Sequence, residues 1–177
     1  MTFVDYATVC ASIISLLGVI LAVIQYIKSS KLKRADFFNA IIKKLRSDPV
    51  ILKWLLTFDY EENWYDSSFH DSVDKQAGVD KTLQTLSYIC YLRENKLISD
   101  KEFSFVKYEI CRVLGNKGVQ DYLFNLYHFS SRFFQRKHPK DVKDFPFSFL
   151  LAYGISENLI DDSFFDKDSR NNKILNF

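Results

Sequence analysis

The chain has few of the residues that interrupt helices or build compact chemical sites. It contains 5 glycines and 3 prolines among its 177 residues, a composition typical of long helices. The segment Gly115-Asn116-Lys117-Gly118 lacks the Lys-Ser/Thr pair of a phosphate-binding loop, and no serine lies in a nucleophile elbow. With no convergent catalytic set in the sequence, we expect a non-enzymatic protein that uses no cofactor.

Cysteine is also scarce. The 3 cysteines are Cys10, Cys90 and Cys111, and their wide spacing matches neither a zinc knuckle nor a disulfide framework. We therefore expect free thiols and no metal bound through cysteine.

The chain has no large excess of charge of either sign, since its formal net charge is +2. The charges are segregated instead: residues 28–46 and 132–143 are basic, whereas residues 59–74 and 157–168 are acidic. Alternating blocks of this kind suit packing between segments or against a protein partner. A nucleic-acid partner is not expected, because its binding needs a coherent basic surface.

The longest stretch without charge runs from Tyr6 to Ile27, which is 22 residues. A helix of this length extends roughly 33 Å, enough to cross the hydrocarbon core of a bilayer. A cleaved signal peptide is less consistent with the sequence, because the preceding residues carry Asp5 and no Lys or Arg. We therefore predict a transmembrane helix over residues 6–27, with the lipid bilayer as its partner.

A basic collar follows the predicted span directly over residues 28–34, formed by Lys28, Lys31, Lys33 and Arg34. The positive-inside rule places residues 1–5 outside and the long C-terminal part in the cytoplasm. The bias towards Lys, Asn, Ile and Phe is typical of AT-rich bacterial genomes, so the expected location is a bacterial inner membrane. The collar is either only this topology signal or, in addition, a binding site for anionic lipid headgroups.

Small and polar residues recur along one face of the predicted span. They are Ala7, Ala11, Ser15, Gly18, Ala22 and Gln25. Small residues at this spacing allow two helix backbones to approach closely in lipid, which predicts a homo-oligomer. The alternative is chance, because Ala, Ser and Gly are common in spans.

Helical periodicity continues after the collar and predicts an all-α fold, namely the transmembrane helix followed by a cytoplasmic bundle of about five to seven helices over residues 35–165. Residues 166–177 are expected to be a tail. No Gly or Pro separates the span from the first cytoplasmic helix, so the two are expected to be continuous up to Ser47.

Three local signals predict where helices begin and end. Asp48-Pro49 should cap and start a helix, and Ser99 to Glu102 should form a capping box. Gly115-Asn116 predicts a left-handed helix C-terminus.

Aromatic residues cluster around the acidic stretch, namely Trp54, Tyr60, Trp64 and Tyr65. Trp and Tyr are preferred anchors of protein interfaces, so these residues are candidates for a partner surface. The alternative is that they cover the end of the bundle.

His70 lies among Asp66, Asp71 and Asp74, which raises the question of a divalent metal or acid/base site. Sites in helical bundles usually use Glu-x-x-His ligands, and the chain has no such motif. A solvated acidic loop is therefore favoured, and a metal- or ligand-sensing domain is the weaker alternative.

Several short segments resemble a family of small bacterial membrane proteins described as a domain of unknown function. They are Arg34-Ala35-Asp36-Phe37-Phe38, Ser47-Asp48-Pro49, Lys101-Glu102-Phe103 and residues 116–126 with Asp121-Tyr122-Leu123. The resemblance covers residues 10–130 and implies a single span, a basic collar and a helical domain. The family has no established catalytic residues, so it implies no site.

The leading hypothesis is a single-span protein that presents a cytoplasmic interaction or regulatory domain to an unidentified protein partner. The architecture also looks like that of effectors or accessory proteins of bacterial anti-phage systems. A membrane-perturbing effector is therefore the alternative hypothesis.

Overall fold

The structure is a computed structural model that describes residues 3–61, 63–130, 142 and 144–168, with side chains from Ser15 onwards. Within these residues the protein is all-α, as the sequence predicts, with six α-helices and no strand. The helices are α1 (Phe3–Ser47), α2 (Pro49–Tyr60), α3 (Val73–Glu94), α4 (Asp100–Gly115), α5 (Lys117–Ser130) and α6 (Ser148–Ser156).

The chain divides into two compact units, Met1–Ile42 and Lys43–Phe177. The first consists of α1 up to Ile42, and every described side chain from Ser15 to Phe37 is exposed. Its helix is long and apolar enough to cross a membrane by length and composition. As expected, α1 continues without a break to Ser47, so its last turn belongs to the second unit.

The second unit is a bundle built around α3. One face of α3 is completely buried at Val79, Leu83, Leu86 and Ile89. It packs against α2, α4, α6 and a short 3₁₀ turn at Phe69–Asp71, while α4 also contacts α2 and α5. Burying these branched side chains stabilises the unit by about 1.5–3 kcal/mol each.

The predicted N-terminal caps are confirmed. The Asp48 carboxylate accepts hydrogen bonds from the amides of Val50 at 3.0 Å and Ile51 at 3.3 Å, and Pro49 is the first residue of α2. The Ser99 hydroxyl accepts from the Glu102 amide, and the Glu102 carboxylate accepts from the Ser99 amide, which completes the capping box of α4.

The predicted left-handed C-terminus at Gly115-Asn116 is wrong. No described glycine has a positive φ, and Asn116 is extended with φ −74° and ψ 124°. The Asn116 side chain instead accepts a hydrogen bond from the Val119 amide, so this residue starts α5. The left-handed residues are Lys96 and Asn158, both with φ 56°, which follow α3 and α6.

Candidate functional site

Five aromatic side chains form a buried cluster where α2, α3 and α5 meet the segment after α2. The aromatic cluster consists of Trp54, Trp64, Tyr65, Phe69 and Tyr122, all with at most 7% of their surface exposed. Its ring centroids are 5.3–6.2 Å apart in edge-on or tilted pairs, a favourable geometry for aromatic rings. The cluster therefore fixes the acidic segment of the chain onto the bundle.

Two glycines allow both tryptophans to lie against helix backbones. A Cβ atom on Gly78 would lie 2.0 Å from Nε1 of Trp54, and one on Gly118 would lie 2.6 Å from Nε1 of Trp64. Neither distance is compatible with a side chain at the glycine. A glycine inside a helix usually weakens it, but in α3 the missing side chain of Gly78 leaves room for the Trp54 indole.

Asn116 connects three segments around the cluster. Its side-chain oxygen accepts from Nε1 of Trp64 at 3.1 Å, and its side-chain nitrogen donates to the carbonyl of Phe58 at 2.6 Å. Together with its bond to Val119, these contacts join the end of α2, the following segment and the start of α5.

A polar chain runs alongside the aromatic cluster. Nδ2 of Asn125 donates to the Tyr65 hydroxyl oxygen at 2.9 Å, and that hydroxyl lies 3.1 Å from Nε2 of His70. The Tyr65 oxygen accepts from Asn125, and the tautomer of His70 determines which partner donates in the bond between the tyrosine hydroxyl and Nε2. Burial lowers the pKa of His70, although the Gln76 side chain and the charge of Asp80 oppose this shift.

The second polar pair lies beside the first. The Tyr122 hydroxyl donates to Oδ1 of Asp80 at 2.5 Å and joins α5 to α3. Burial raises the pKa of the Asp80 carboxyl, which the hydrogen bond from Tyr122 and the nearby His70 offset in part. Burial also raises the pKa of Tyr65 and Tyr122. Both phenols therefore stay protonated at neutral pH, and Tyr122 acts as a hydrogen-bond donor to Asp80.

The pKa of His70 responds to the charge of Asp80, ten residues further along the chain, as well as to that of the adjacent Asp71. Asp66 accepts from the amide of Ser68 at 2.9 Å and its hydroxyl at 2.7 Å, which closes a local turn. Asp71 and Asp74 are exposed. In the part of the chain that the structure describes, no three His, Cys, Asp or Glu residues are placed to hold a metal ion. The charged neighbour of His70 that the sequence did not reveal is Asp80, one turn of α3 beyond Gln76.

Most of the residues considered for a partner surface are buried in the folded protein. Trp54, Trp64 and Tyr65 are in the core, and only Tyr60 is exposed, at 81%. Three of the four residues therefore cannot contact a partner in this structure. Their burial agrees with the alternative interpretation, in which they cover the end of the bundle.

A cavity of about 330 Å³ lies between α3 and α6 and is lined in part by Cys90, Arg93 and Tyr153. The Arg93 guanidinium lies 4.7 Å from the ring centre of Phe103 and 5.3 Å from that of Tyr153, and its Nε bonds Asp100 at 3.0 Å. Burial raises the pKa of the Cys90 thiol to about 12, so this cysteine is a poor nucleophile.

The residues predicted for the span and collar lie on α1. Ser15, Gly18, Ala22 and Gln25 are exposed, as are Lys28, Lys31, Lys33 and Arg34. The side chains of Ala7 and Ala11 lie outside the described residues. Among the described residues, apart from the neighbours of Gly18 in the chain and the backbone of its own helix, no atom lies within 4 Å of the position that a Cβ atom on Gly18 would occupy.

No family model, curated protein or solved structure matches the chain. The resemblance to small single-span membrane proteins therefore stays a prediction, and any functional argument must rest on the chain's own residues.

Proposed function

We propose that this chain is a non-enzymatic single-span membrane protein that presents a cytoplasmic helical interaction domain and self-associates through its span. The observation that carries the proposal is the exposure of the apolar face of α1. Eight large apolar residues are 43–61% exposed there, namely Leu16, Leu17, Val19, Ile20, Leu21, Val23, Ile24 and Ile27. A contiguous apolar surface of this kind is stable only when another apolar phase covers it, and a bilayer is that phase.

The collar supports an orientation. Lys28, Lys31, Lys33 and Arg34 occupy consecutive turns of α1 just after the apolar residues, and all four side chains are exposed. Cytoplasmic flanks of spans carry such an excess of Lys and Arg. In the proposed topology the second unit, Lys43–Phe177, is therefore cytoplasmic, at the inner membrane of a bacterium.

Self-association is supported by the open surface at Gly18. Ser15, Gly18, Ala22 and Gln25 follow one another at spacings of three, four and three residues, so they share one helix face. In the described part of the chain nothing outside the immediate helix lies within 4 Å of a Cβ position at Gly18, which leaves room for the backbone of a second helix. Gln25 adds a side chain able to hydrogen bond across such a pair.

A binding role for the second unit is supported by the state of its ionisable side chains. Tyr65, His70, Asp80 and Tyr122 already hydrogen bond one another or neighbouring side chains, and these bonds join α5 to α3 and to the segment between α2 and α3. Groups engaged in this way stabilise the bundle, whereas catalysis requires a nucleophile or base directed at a substrate.

Membrane insertion and topology can be tested together on the full-length chain. After expression, the protein should remain in the membrane fraction at alkaline pH and keep its full mass. A cysteine introduced at Ser67, which is exposed, should react with a membrane-impermeant maleimide only after the cells are opened. Release at alkaline pH, or a shortened protein from which residues 1–27 have been cleaved, would contradict the proposed span.

Self-association and membrane damage require separate measurements. Gly18→Ile with Ala22→Ile should lower the oligomeric fraction, whereas Leu17→Ile with Val23→Ile, off the stripe, should leave it unchanged. Equal effects of both pairs would argue against pairing through the stripe.

Overexpression of the wild-type protein should leave the membrane potential normal. Depolarisation that Gly18→Ile abolishes would favour the membrane-perturbing effector instead.

A further inference from the structure

The basic collar lies where the exposed apolar surface of α1 ends. Its four members, Lys28, Lys31, Lys33 and Arg34, all have exposed side chains. Arg34 is the furthest from the apolar residues, and at a rise of about 1.5 Å per residue it lies roughly 10 Å beyond Ile27. This distance is about one Debye length at physiological ionic strength. The whole collar is therefore close enough to a bilayer surface at Ile27 to be influenced by its charge.

The positive charges of the collar surround α1 instead of lining one side of it. Successive residues of an α-helix are about 100° apart, so Lys31 and Lys33 point about 300° and 140° away from Lys28. With these three lysines alone, no direction around the helix is more than about 80° from a positive charge. A protein partner contacts one side of a helix, whereas lipid headgroups surround a span. The ring of charges therefore favours lipid over an acidic protein.

Within the described part of the chain, the lysines of the collar have no acidic partner. No ion pair there includes Lys28, Lys31 or Lys33. The only carboxylate within residues 6–47 is that of Asp36, which follows Lys33 by three residues without forming an ion pair with it. Against the four positive charges of the collar, this single carboxylate leaves a net charge of +3. The charge of the three lysines is therefore available to an anion from outside the chain.

We propose that the collar binds the phosphate headgroups of anionic phospholipids in the cytoplasmic leaflet, an inference that rests on the proposed span. Charge complementarity carries it, because anionic headgroups attract each Lys or Arg held close to the membrane surface. The long stem of lysine lets the ammonium group reach the headgroups while its methylene groups stay against apolar surface. Topology alone needs only an excess of Lys and Arg within about 15–20 residues of the span. It therefore explains neither the ring nor its closeness to Ile27.

Lipid contact at the collar is compatible with pairing of the span through its small-residue face. Measured in the same sense, Gly18 and Ala22 point about 80° and 120° away from Lys28, which is between Lys28 and Lys33. Lys31, at about 300°, lies on the far side of the helix. A second helix packed against Gly18 and Ala22 would therefore leave Lys31 facing lipid.

Lipid selectivity beside the collar can be measured on the full-length chain in vesicles of one part phosphatidylglycerol to four parts phosphatidylcholine. Tyr26→Trp supplies the reporter, because the Tyr26 side chain is 74% exposed and precedes Lys28 by two residues. Bromine atoms on the acyl chains near the headgroup quench the fluorescence of an indole that they contact. Two matched preparations carry equal amounts of brominated lipid, in one as phosphatidylglycerol and in the other as phosphatidylcholine. The chain without the substitution measures the background from Trp54 and Trp64.

The expected result is a preference for the anionic lipid that depends on the three lysines. With the natural collar, quenching should show an affinity for phosphatidylglycerol roughly threefold or more above that for phosphatidylcholine. The ratio of affinities should fall towards one in the collar variant, which combines Lys28→Gln, Lys31→Gln and Lys33→Gln. Arg34 and the later basic residues of α1 remain in this variant, so the excess that sets the topology is kept.

A matched variant removes the same charge outside the collar, by Lys43→Gln, Lys44→Gln and Lys75→Gln. These side chains are also exposed, and Lys43 lies about 24 Å beyond Ile27 along α1, more than two Debye lengths. This variant should keep the full preference for phosphatidylglycerol. Replacing chloride by inorganic phosphate at equal ionic strength should leave the preference unchanged, because the collar binds headgroups at the membrane surface.

The possible results separate this inference from the proposed span. Equal quenching by the two lipids with the natural collar overturns the inference while the span stands, and it leaves the collar to topology or to an acidic protein. An equal loss in both lysine variants also overturns it, because the preference would then follow the total charge of the chain. Competition by inorganic phosphate overturns it by assigning the collar to a soluble anion. The absence of quenching by either lipid contradicts the span itself and the inference with it.

Discussion

The Tyr122 hydroxyl and the Asp80 carboxylate are 2.5 Å apart, and this bond joins α5 to α3. Tyr122 is completely buried, so its hydroxyl has no access to bulk water if the bond is lost. A buried donor without an acceptor is costly, whereas a charge-assisted bond between well-placed partners stabilises the fold. The pair is therefore a point where small chemical changes should have measurable consequences.

Tyr122→Phe should lower the free energy of unfolding by about 1.5–3 kcal/mol near pH 7, the range for a hydrogen bond to a charged group. The ring contacts with Trp64, Tyr65 and Phe69 are retained, so the loss reports mainly on the hydroxyl. Chemical unfolding of the detergent-solubilised chain measures it. Combining Tyr122→Phe with Asp80→Ala, which removes the acceptor, in a double-mutant cycle isolates the pair, and additive losses would show that the two groups are not coupled.

Asp80→Asn should change how stability depends on pH. Burial raises the pKa of Asp80 in the folded state, so the folded chain binds this proton more tightly than the unfolded chain. The contribution of Asp80 to stability is therefore greatest below the unfolded carboxyl pKa of about 3.9 and falls as pH rises through the raised folded value. Asparagine does not titrate, so the variant does not lose stability in this way as pH rises. Its side-chain oxygen can still accept the hydrogen bond from Tyr122.

The corresponding measurement is the unfolding temperature of both proteins between acidic and neutral pH. The stability of Asp80→Asn relative to the wild type should increase as pH rises. The lowered pKa of His70 produces the opposite slope, because the folded chain releases that proton more readily and gains stability as pH rises towards about 6.5. The comparison is therefore made in a His70→Gln background, where parallel curves would contradict a raised pKa at Asp80.

Gly78→Ala should destabilise the second unit because of Trp54. Alanine is the better helix former by about 1 kcal/mol, but its Cβ would lie 2.0 Å from Nε1 of the indole. Displacing a buried tryptophan of the aromatic cluster should outweigh that gain and lower the free energy of unfolding by roughly 1–3 kcal/mol.

Gly115→Ala is the matched control for this substitution. A Cβ atom there has no neighbour within 4 Å, and the backbone is not left-handed. Its unfolding temperature should stay equal to that of the wild type or rise. If both alanine variants behave alike, the close packing of Trp54 against Gly78 is not a source of stability.

The parts of the fold that sequence predicts well depend on residues close together in the chain. The capping box of α4 joins Ser99 to Glu102, and the α2 cap joins Asp48 to Val50 and Ile51, so both follow from local chemistry. The continuity of α1 was predictable for the same reason, because no Gly or Pro lies between the span and Ser47.

The candidate site depends on residues far apart in the chain, so the local sequence pattern left its alternatives open. Tyr122 and Asp80 are separated by 42 residues, and Asn125 and Tyr65 by 60. Nothing in the local pattern indicates that Tyr65 is buried rather than presented to a partner. The Gly115 error has a related cause: the Asn116 side chain is engaged by Trp64 and Phe58, which favours an extended backbone over a left-handed one.

Lys96→Gly should raise the stability of the chain, because Lys96 is the left-handed residue that ends α3. Its φ of 56° lets the amides of Leu97 and Ile98 donate to the carbonyl of Leu92 at 2.8 and 3.2 Å. A non-glycine residue in this conformation costs about 1–2 kcal/mol. Glycine removes that cost, but it also increases the conformational entropy of the unfolded chain. The net gain in the free energy of unfolding should therefore be roughly 0.5–1 kcal/mol.

Two variants serve as controls for this gain. Asn158 ends α6 in the same way, with the amides of Leu159 and Ile160 donating to the carbonyl of Gly154 at 2.8 and 3.2 Å. Asparagine tolerates the left-handed region better than lysine does, so Asn158→Gly should stabilise less than Lys96→Gly. Lys101→Gly, in the regular helix α4, should instead destabilise by about 0.5–1 kcal/mol. Thermal unfolding of the three variants gives the order of their stabilities. A loss of stability in Lys96→Gly as large as that in Lys101→Gly would show that Lys96 is not strained.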